Sequence, residues 1–275
     1  MSLEPGMTPF DRDIAVTPIS NGHYSVSIAN SWNVIIGPNG GYVAAIILNG
    51  MKTTLGNVQT RSVTFHFLSA SIPGSAELFV TVEKRGRSLS TCSARLIQGD
   101  RTIALAVASF AAQRSEFGFR DFAAPVVHPA DKLEPSKRMN PRLIGYAPFR
   151  DHFDQRLAIG ATPPEVGNDG KVGGWTRFKH HRVFDDLAVV AISDSWFPGL
   201  SVRSTPEPMH APTVDHTVHF LHSVPLTDLA LDDFLLVEFT TSVANEGYLI
   251  ENGKIWSPDG TLIAESRQLA VCMPR

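Results

Sequence analysis

Polar and apolar positions change their period along this chain, and the changes mark its elements. Tyr24, Val26 and Ile28 alternate with polar neighbours, the period of two of a half-buried strand. After Asn39-Gly40-Gly41, the run Tyr42–Met51 is apolar on nearly every side, which predicts a helix enclosed by protein. Strand-like segments follow at about 61–68, 76–84, 88–98 and 101–112. The second half begins with the segments His152–Ile159 and Trp175–Lys179, then predicts a helix over about Asp186–Ser195 stopped by Pro198-Gly199. Its last strands are expected at about 215–222, 234–243, 246–255 and 261–272. A single helix ahead of a run of antiparallel strands predicts an α+β fold with the sheet wrapped around the helix. The strict βαβ alternation of a doubly wound parallel sheet is missing.

The order of elements occurs twice. Thr64-Phe65-His66-Phe67-Leu68-Ser69 and Thr217-Val218-His219-Phe220-Leu221-His222 stand 153 positions apart, each preceded by a helical run and followed by three strand-like segments. The matching hairpin tips are Gly99-Asp100-Arg101-Thr102 and Pro258-Asp259-Gly260-Thr261. Between the halves, Pro125, Pro129, Pro135, Pro141 and Pro148 break up a polar stretch, read as a connector crossing the surface. The expected division is 8–114, a connector over 115–147, and 148–275.

Composition narrows the function classes. Of 275 residues, 24 are Lys or Arg and 27 Asp or Glu, giving a net charge of −3, too balanced for a nucleic-acid partner. Cys92 and Cys272 are the two cysteines, without CxxC spacing, which argues against a zinc module or disulfide scaffold and suits a reducing cytoplasm. No run reaches the roughly 18 apolar residues that span a bilayer, and residues 1–7 lack the basic and apolar regions of a signal peptide. A cytoplasmic protein with no membrane partner is expected.

The Gly40-Gly41 helix, the segment Lys84-Arg85-Gly86-Arg87-Ser88-Leu89-Ser90-Thr91, the Ile192-Ser193-Asp194 helix and the closing Ser266-Arg267-Gln268 strand together resemble the type II acyl-CoA thioesterases. The resemblance covers most of residues 20–115 and 150–273. It implies a double hotdog, two tandem units each with a long antiparallel sheet around one helix. It further implies a hydrolase of lipid metabolism that releases free acid and CoA from acyl-CoA without a cofactor or metal. By position in the family pattern, Asp194, Thr240 and Gln268 would hold and activate the attacking water. Association into larger homo-oligomers is common in the family.

The residues themselves bear on this. Asp194 follows an apolar run and stands in the last turn of its helix, where burial and the dipole both push a carboxylate toward higher pKa, suited to a general base. It also reads as a solvated helix end. Gln268 lies on the face of its strand with Leu262, Ala264, Ser266, Ala270 and Cys272, where its amide needs partners, either a water and carboxylate or a backbone carbonyl. Thr240 shares a face with Leu236, Glu238 and Ser242, away from the greasier Leu235, Val237 and Phe239. It therefore needs a bulge or a doubly covered sheet to face the core.

Aligning the two halves by their last strands sets Ser109 against Gln268 and Arg85 against Thr240, so one site per chain is expected, from the second half. Gly40 and Gly41 would offer backbone N–H groups to the thioester carbonyl, or simply form a tight turn. Lys84, Arg85 and Arg87 are candidates for the phosphates of CoA, or a solvated turn.

Other leads are weaker. His216, His219 and His222 are split between two strand faces and lack metal-ligand spacing. Gly199-Leu200-Ser201-Val202-Arg203 misses the last Gly of a nucleophile elbow. His180-His181-Arg182-Val183-Phe184-Asp185-Asp186 approaches the HHxxxDG motif of acyltransferases, with Asp186 where Gly belongs. The alternatives to a thioesterase are a non-catalytic acyl-CoA or lipid-binding protein, a hotdog hydratase, and an acyltransferase.

Overall fold

The computed structural model describes residues 7–34, 37–56, 58–114, 117–136, 147–162, 165–167, 169–203 and 209–274. Part of the expected connector, 115–116 and 137–146, lies outside the described residues. The first half runs α1 (Pro9–Asp13), β1 (Val16–Ser20), β2 (His23–Ile28), α2 (Gly40–Leu55), β3 (Thr60–Phe67), β4 (Gly74–Lys84), β5 (Ser90–Gln98) and β6 (Arg101–Phe110). The second runs β7 (Phe153–Ile159), β8 (Lys171–Phe178), α3 (Asp186–Ile192), β9 (Met209–His210), β10 (Thr213–Phe220), β11 (Leu235–Asn245), β12 (Tyr248–Trp256), β13 (Leu262–Val271) and β14 (Met273–Pro274).

Twelve strands form one sheet in the order β1-β2-β4-β5-β6-β3-β10-β13-β12-β11-β8-β7. Read from either edge toward the middle, the order is the same in both halves, with β3 and β10 meeting at the centre. Thr64 pairs with Thr217 across that seam, and their hydroxyls are 2.9 Å apart. Equivalent residues of the repeat touch each other there, so a pseudo-twofold axis passes between them.

Helix α2 forms because Asn39 caps it, its side chain accepting from the Tyr42 N–H at 3.0 Å, and because Gly56 ends it at φ 97°. Eleven of its sixteen residues are buried, as its all-round apolar pattern predicts. Gly50 lets Leu78 pack close, since a Cβ there would lie 2.3 Å from Leu78 Cδ2 and the leucine would have to shift.

Helix α3 is shorter than the expected Asp186–Ser195. It stops at Ile192; Ser193 to Ser195 continue as a tighter turn, and Pro198-Gly199 divert the chain into a 3₁₀ turn, Gly199–Val202. The two helices lie antiparallel against the sheet. The last turn of α2 reaches the start of α3 through Lys52 and Asp186, and the first turn of α2 reaches the residue just beyond α3, Asp194. Among the described residues, no helix is long and apolar enough to cross a membrane.

Candidate active site

Asp194, from the second half, and Gly41, from the first, are in direct contact across the junction of the two copies. The Gly41 N–H donates to Asp194 Oδ2 at 2.8 Å, and Asn39 Nδ2 donates to the same oxygen at 3.1 Å and to the Asp194 carbonyl at 2.9 Å. The approach depends on both glycines. A Cβ on Gly40 would lie 2.9 Å from Asp194 Oδ2, and one on Gly41 would lie 2.8 Å from the Ala191 carbonyl. The turn expected to offer its N–H groups to a substrate thus spends that of Gly41 on Asp194. Tyr42 and Val43 spend theirs on Asn39, and only the Gly40 N–H bonds to no described residue.

Burial raises the Asp194 carboxyl to about 7; the Gly41 and Asn39 donors oppose the shift, and the charge of Glu251 adds to it. No hydrogen bond from the described residues reaches Oδ1, which leaves one oxygen of a near-neutral base open. Ser193, one residue before, donates its hydroxyl to the Val190 carbonyl at 2.8 Å and lies 2.7 Å from His216 Nε2. With the Ser193 proton committed, His216 carries its own on Nε2, and its buried Nδ1 is an acceptor with no partner among the described residues. Desolvation lowers His216 to about 4, so the ring is neutral.

His216 leads into the sheet. It pairs with Gln268, Gln268 with Glu251, and Glu251 with Thr241, one row across β10, β13, β12 and β11. Cross-strand partners share a face, and all four are buried under the helices. Gln268 Nε2 donates to Glu251 Oε1 at 2.9 Å, while Gln268 Oε1 accepts the Thr213 hydroxyl at 3.0 Å. Glu251 Oε2 accepts from the Thr241 hydroxyl at 2.9 Å and the Gly199 N–H at 2.7 Å. Burial pushes the Glu251 carboxyl up against these three donors.

Thr240 belongs elsewhere. It pairs with Asn252 and Lys171, in a row that continues through Arg267 and Thr217 on the other face of the sheet. The β11 bulge falls after Thr241, too late to turn Thr240 inward. The hydroxyl that reaches Gln268 is that of Thr213. A bulge between Thr213 and Asp215 places Thr213 and His216 on one face although three positions separate them. Strict alternation therefore misses it. The signal lay in the repeat, since Thr60 and Thr213 stand at the same place in the two copies, each followed by the same bulge.

Glu251 was also readable. It alternates with Leu249, Gly253 and Ile255, a carboxylate on a buried face. The register corrects the internal alignment too. Val63 and Ala108 stand where His216 and Gln268 stand, so Ala108, not Ser109, is the counterpart of Gln268. Val82 and Thr241 are counterparts, each just before a bulge, which leaves Arg85 unrelated to Thr240. Lys84, Arg85 and Arg87 are exposed, and Arg85 donates to the Leu55 carbonyl at the far end of α2, about 21 Å along the helix from Gly41. The structure does not bring them to Asp194.

Two family models match this chain, one described as the acyl-CoA thioesterase N-terminal domain over residues 28–111 and one as the C-terminal domain over 124–272. The chain belongs to the acyl-CoA thioesterase family. Solved structures carry the same double hotdog fold. A hotdog protein of unknown function from Alicyclobacillus acidocaldarius is 23% identical with a TM-score of 0.86, covering 98% of this chain and 99% of that one. An acyl-CoA thioesterase II from Mycobacterium marinum is 20% identical with a TM-score of 0.74, covering 97% and 98%. No curated protein matches in sequence. In this chain Asp194, the Gly40-Gly41 turn and the row from His216 to Thr241 form one cluster of polar groups packed against apolar side chains.

Proposed function

We propose that the protein hydrolyses an acyl-CoA thioester to free acid and CoA, with Asp194 as general base and Gln268 and Thr213 as positioning groups for the attacking water. The observation that carries this reading is Asp194 itself. It is a carboxylate tethered on one oxygen by the Gly41 N–H and Asn39, with a pKa near 7, set among packed apolar side chains. Half ionised at neutral pH, such a base can both take and return a proton.

Water would donate one hydrogen to Asp194 Oδ1 and the other to the Thr213 oxygen, whose own proton is held by Gln268. Its remaining lone pair then attacks the thioester carbon while its first proton passes to Asp194. The C=O electron pair moves onto oxygen, and the Gly40 N–H at the positive end of α2, bonded to no described residue, is the donor we assign to that charge. Collapse reforms C=O, breaks C–S, and the departing thiolate takes the proton from Asp194. Fatty-acid metabolism is the setting this chemistry suits.

The test is CoA release from a chain-length panel of acyl-CoAs, read with a thiol reagent. Activity should rise with pH through about 7 as Asp194 ionises. Asp194→Asn should lower kcat by about 10²–10⁴-fold while substrate still binds. Saturable binding by the wild type with no release would mark an acyl-CoA-binding protein instead, and full activity in the variant would remove Asp194 as the base.

A further inference from the structure

Glu251 is the one carboxylate in the row, 4% exposed, and no cation is among its partners in the described residues. Its three neighbours all donate to it. The Gly199 amide can do nothing else, and the Thr241 hydroxyl, already accepting the Leu200 N–H at 3.0 Å, turns its proton to Glu251. A carboxylate so surrounded can take only the NH₂ end of Gln268, never its oxygen. That decides the orientation of the amide, sends Gln268 Oε1 toward Thr213, and makes the Thr213 hydroxyl a donor whose lone pairs face away from Gln268.

Building on the thioesterase reading, we propose that Glu251 is a positioning residue: its carboxylate, held by three donors, fixes the polarity of the Gln268–Thr213 chain so that Thr213 accepts a hydrogen from the catalytic water. Its charge also acts on Asp194. Among the described residues, the titratable groups facing Asp194 are Glu251 from β12 and neutral His216 from β10, through Ser193, and no cation balances the pair. Exposed Arg203 comes near Gly170, whose carbonyl accepts the Thr241 N–H.

The experiment compares wild type, Glu251→Gln and Glu251→Asp. Glu251→Gln should lower kcat about 10–100-fold with KM nearly unchanged. It should also move the acidic limb of the kcat/KM profile down by on the order of one pH unit, because the charge that opposes Asp194 ionisation is gone. Glu251→Asp keeps the charge and should keep the limb while losing part of kcat. A merely structural Glu251 would lower yield or stability without moving the limb.

Wild-type kcat in Glu251→Gln, or a lost kcat with an unmoved limb, overturns the proposal; if that variant does not fold, a limb displaced in Glu251→Asp does the same. The midpoint of the Asp194 carboxyl, followed by ¹³C NMR, reads the coupling without turnover. An unchanged midpoint on removing the charge overturns the proposal whatever the reaction is. Wild type that releases no CoA from any acyl-CoA defeats the thioesterase reading instead.

Discussion

Counted outward from the central strand pair, the same row of the sheet reads Val63, Ala108, Cys92, Val82 in the first half and His216, Gln268, Glu251, Thr241 in the second. The backbone is the same in both, bulge for bulge. Only the side chains differ, four apolar against four polar. Burying the second row costs stability unless each group is bonded, and most of its capacity is bonded. A fold that solves the row with Val and Ala in one copy has no need of Gln and Glu in the other, and this contrast is why the proposed chemistry is assigned to the second.

The most damaging way to erase that difference is to give the second half the residue of the first. Gln268→Ala copies Ala108 into β13, leaving Thr213 without its acceptor and Glu251 without one donor. Turnover of acyl-CoA should fall about 10²-fold or more, because the water loses its fixed geometry. The fold should survive, since Ala already fits this position in the other copy. Unchanged turnover would remove the row from the mechanism.

The sequence carried the fold further than the site. Period-two runs, an all-apolar helix and the repeat at 153 positions located the strands and α2, because these depend on burial and repeat many times over. Asp194 and Gln268 stood out as polar groups in apolar surroundings, a local signal. Thr213 escapes a period-two reading because one bulged residue inverts alternation, while Thr240 rests on its position in the family pattern although its own alternation turns it away from the core. The end of α3 was overrun because the tight turn at Ser193 to Ser195 keeps helical composition after the α-helix has ended. Partners across the junction, such as Asn39 with Asp194, are fixed only by how the two copies dock.

The second threonine of the repeat sharpens the comparison. Thr60 occupies the place of Thr213, but its hydroxyl goes to Asp186 Oδ2 at 2.5 Å, and the other oxygen of Asp186 is taken by Lys52. What is an open hydroxyl chain in one copy is a closed ion pair in the other. Lys52→Met leaves Asp186, 1% exposed, with one hydroxyl donor and the start of α3 for its charge. Breaking such a pair costs about 3–5 kcal/mol when fully buried; Lys52 is partly solvated, so about 2–4 kcal/mol is expected in urea unfolding. Turnover per folded molecule should hardly change. A large loss of kcat with intact stability would mean the first copy also does chemistry.

The smallest effect is expected where the two faces of one strand are set against each other. Thr240 lies in the row Thr217, Arg267, Asn252, Thr240, Lys171, which is polar because it is partly wet. Thr240→Ala removes a hydroxyl and a methyl from that surface and leaves every bond of Gln268, Glu251 and Asp194 in place. Stability should stay within about 0.5 kcal/mol and kcat within about twofold. Thr241, its neighbour, holds Glu251 and the Leu200 N–H, so the same change one residue on should be felt at both. If Thr240→Ala abolished turnover while Thr241→Ala did not, the strand would have to sit one residue out of register, and the row that defines the site would face solvent.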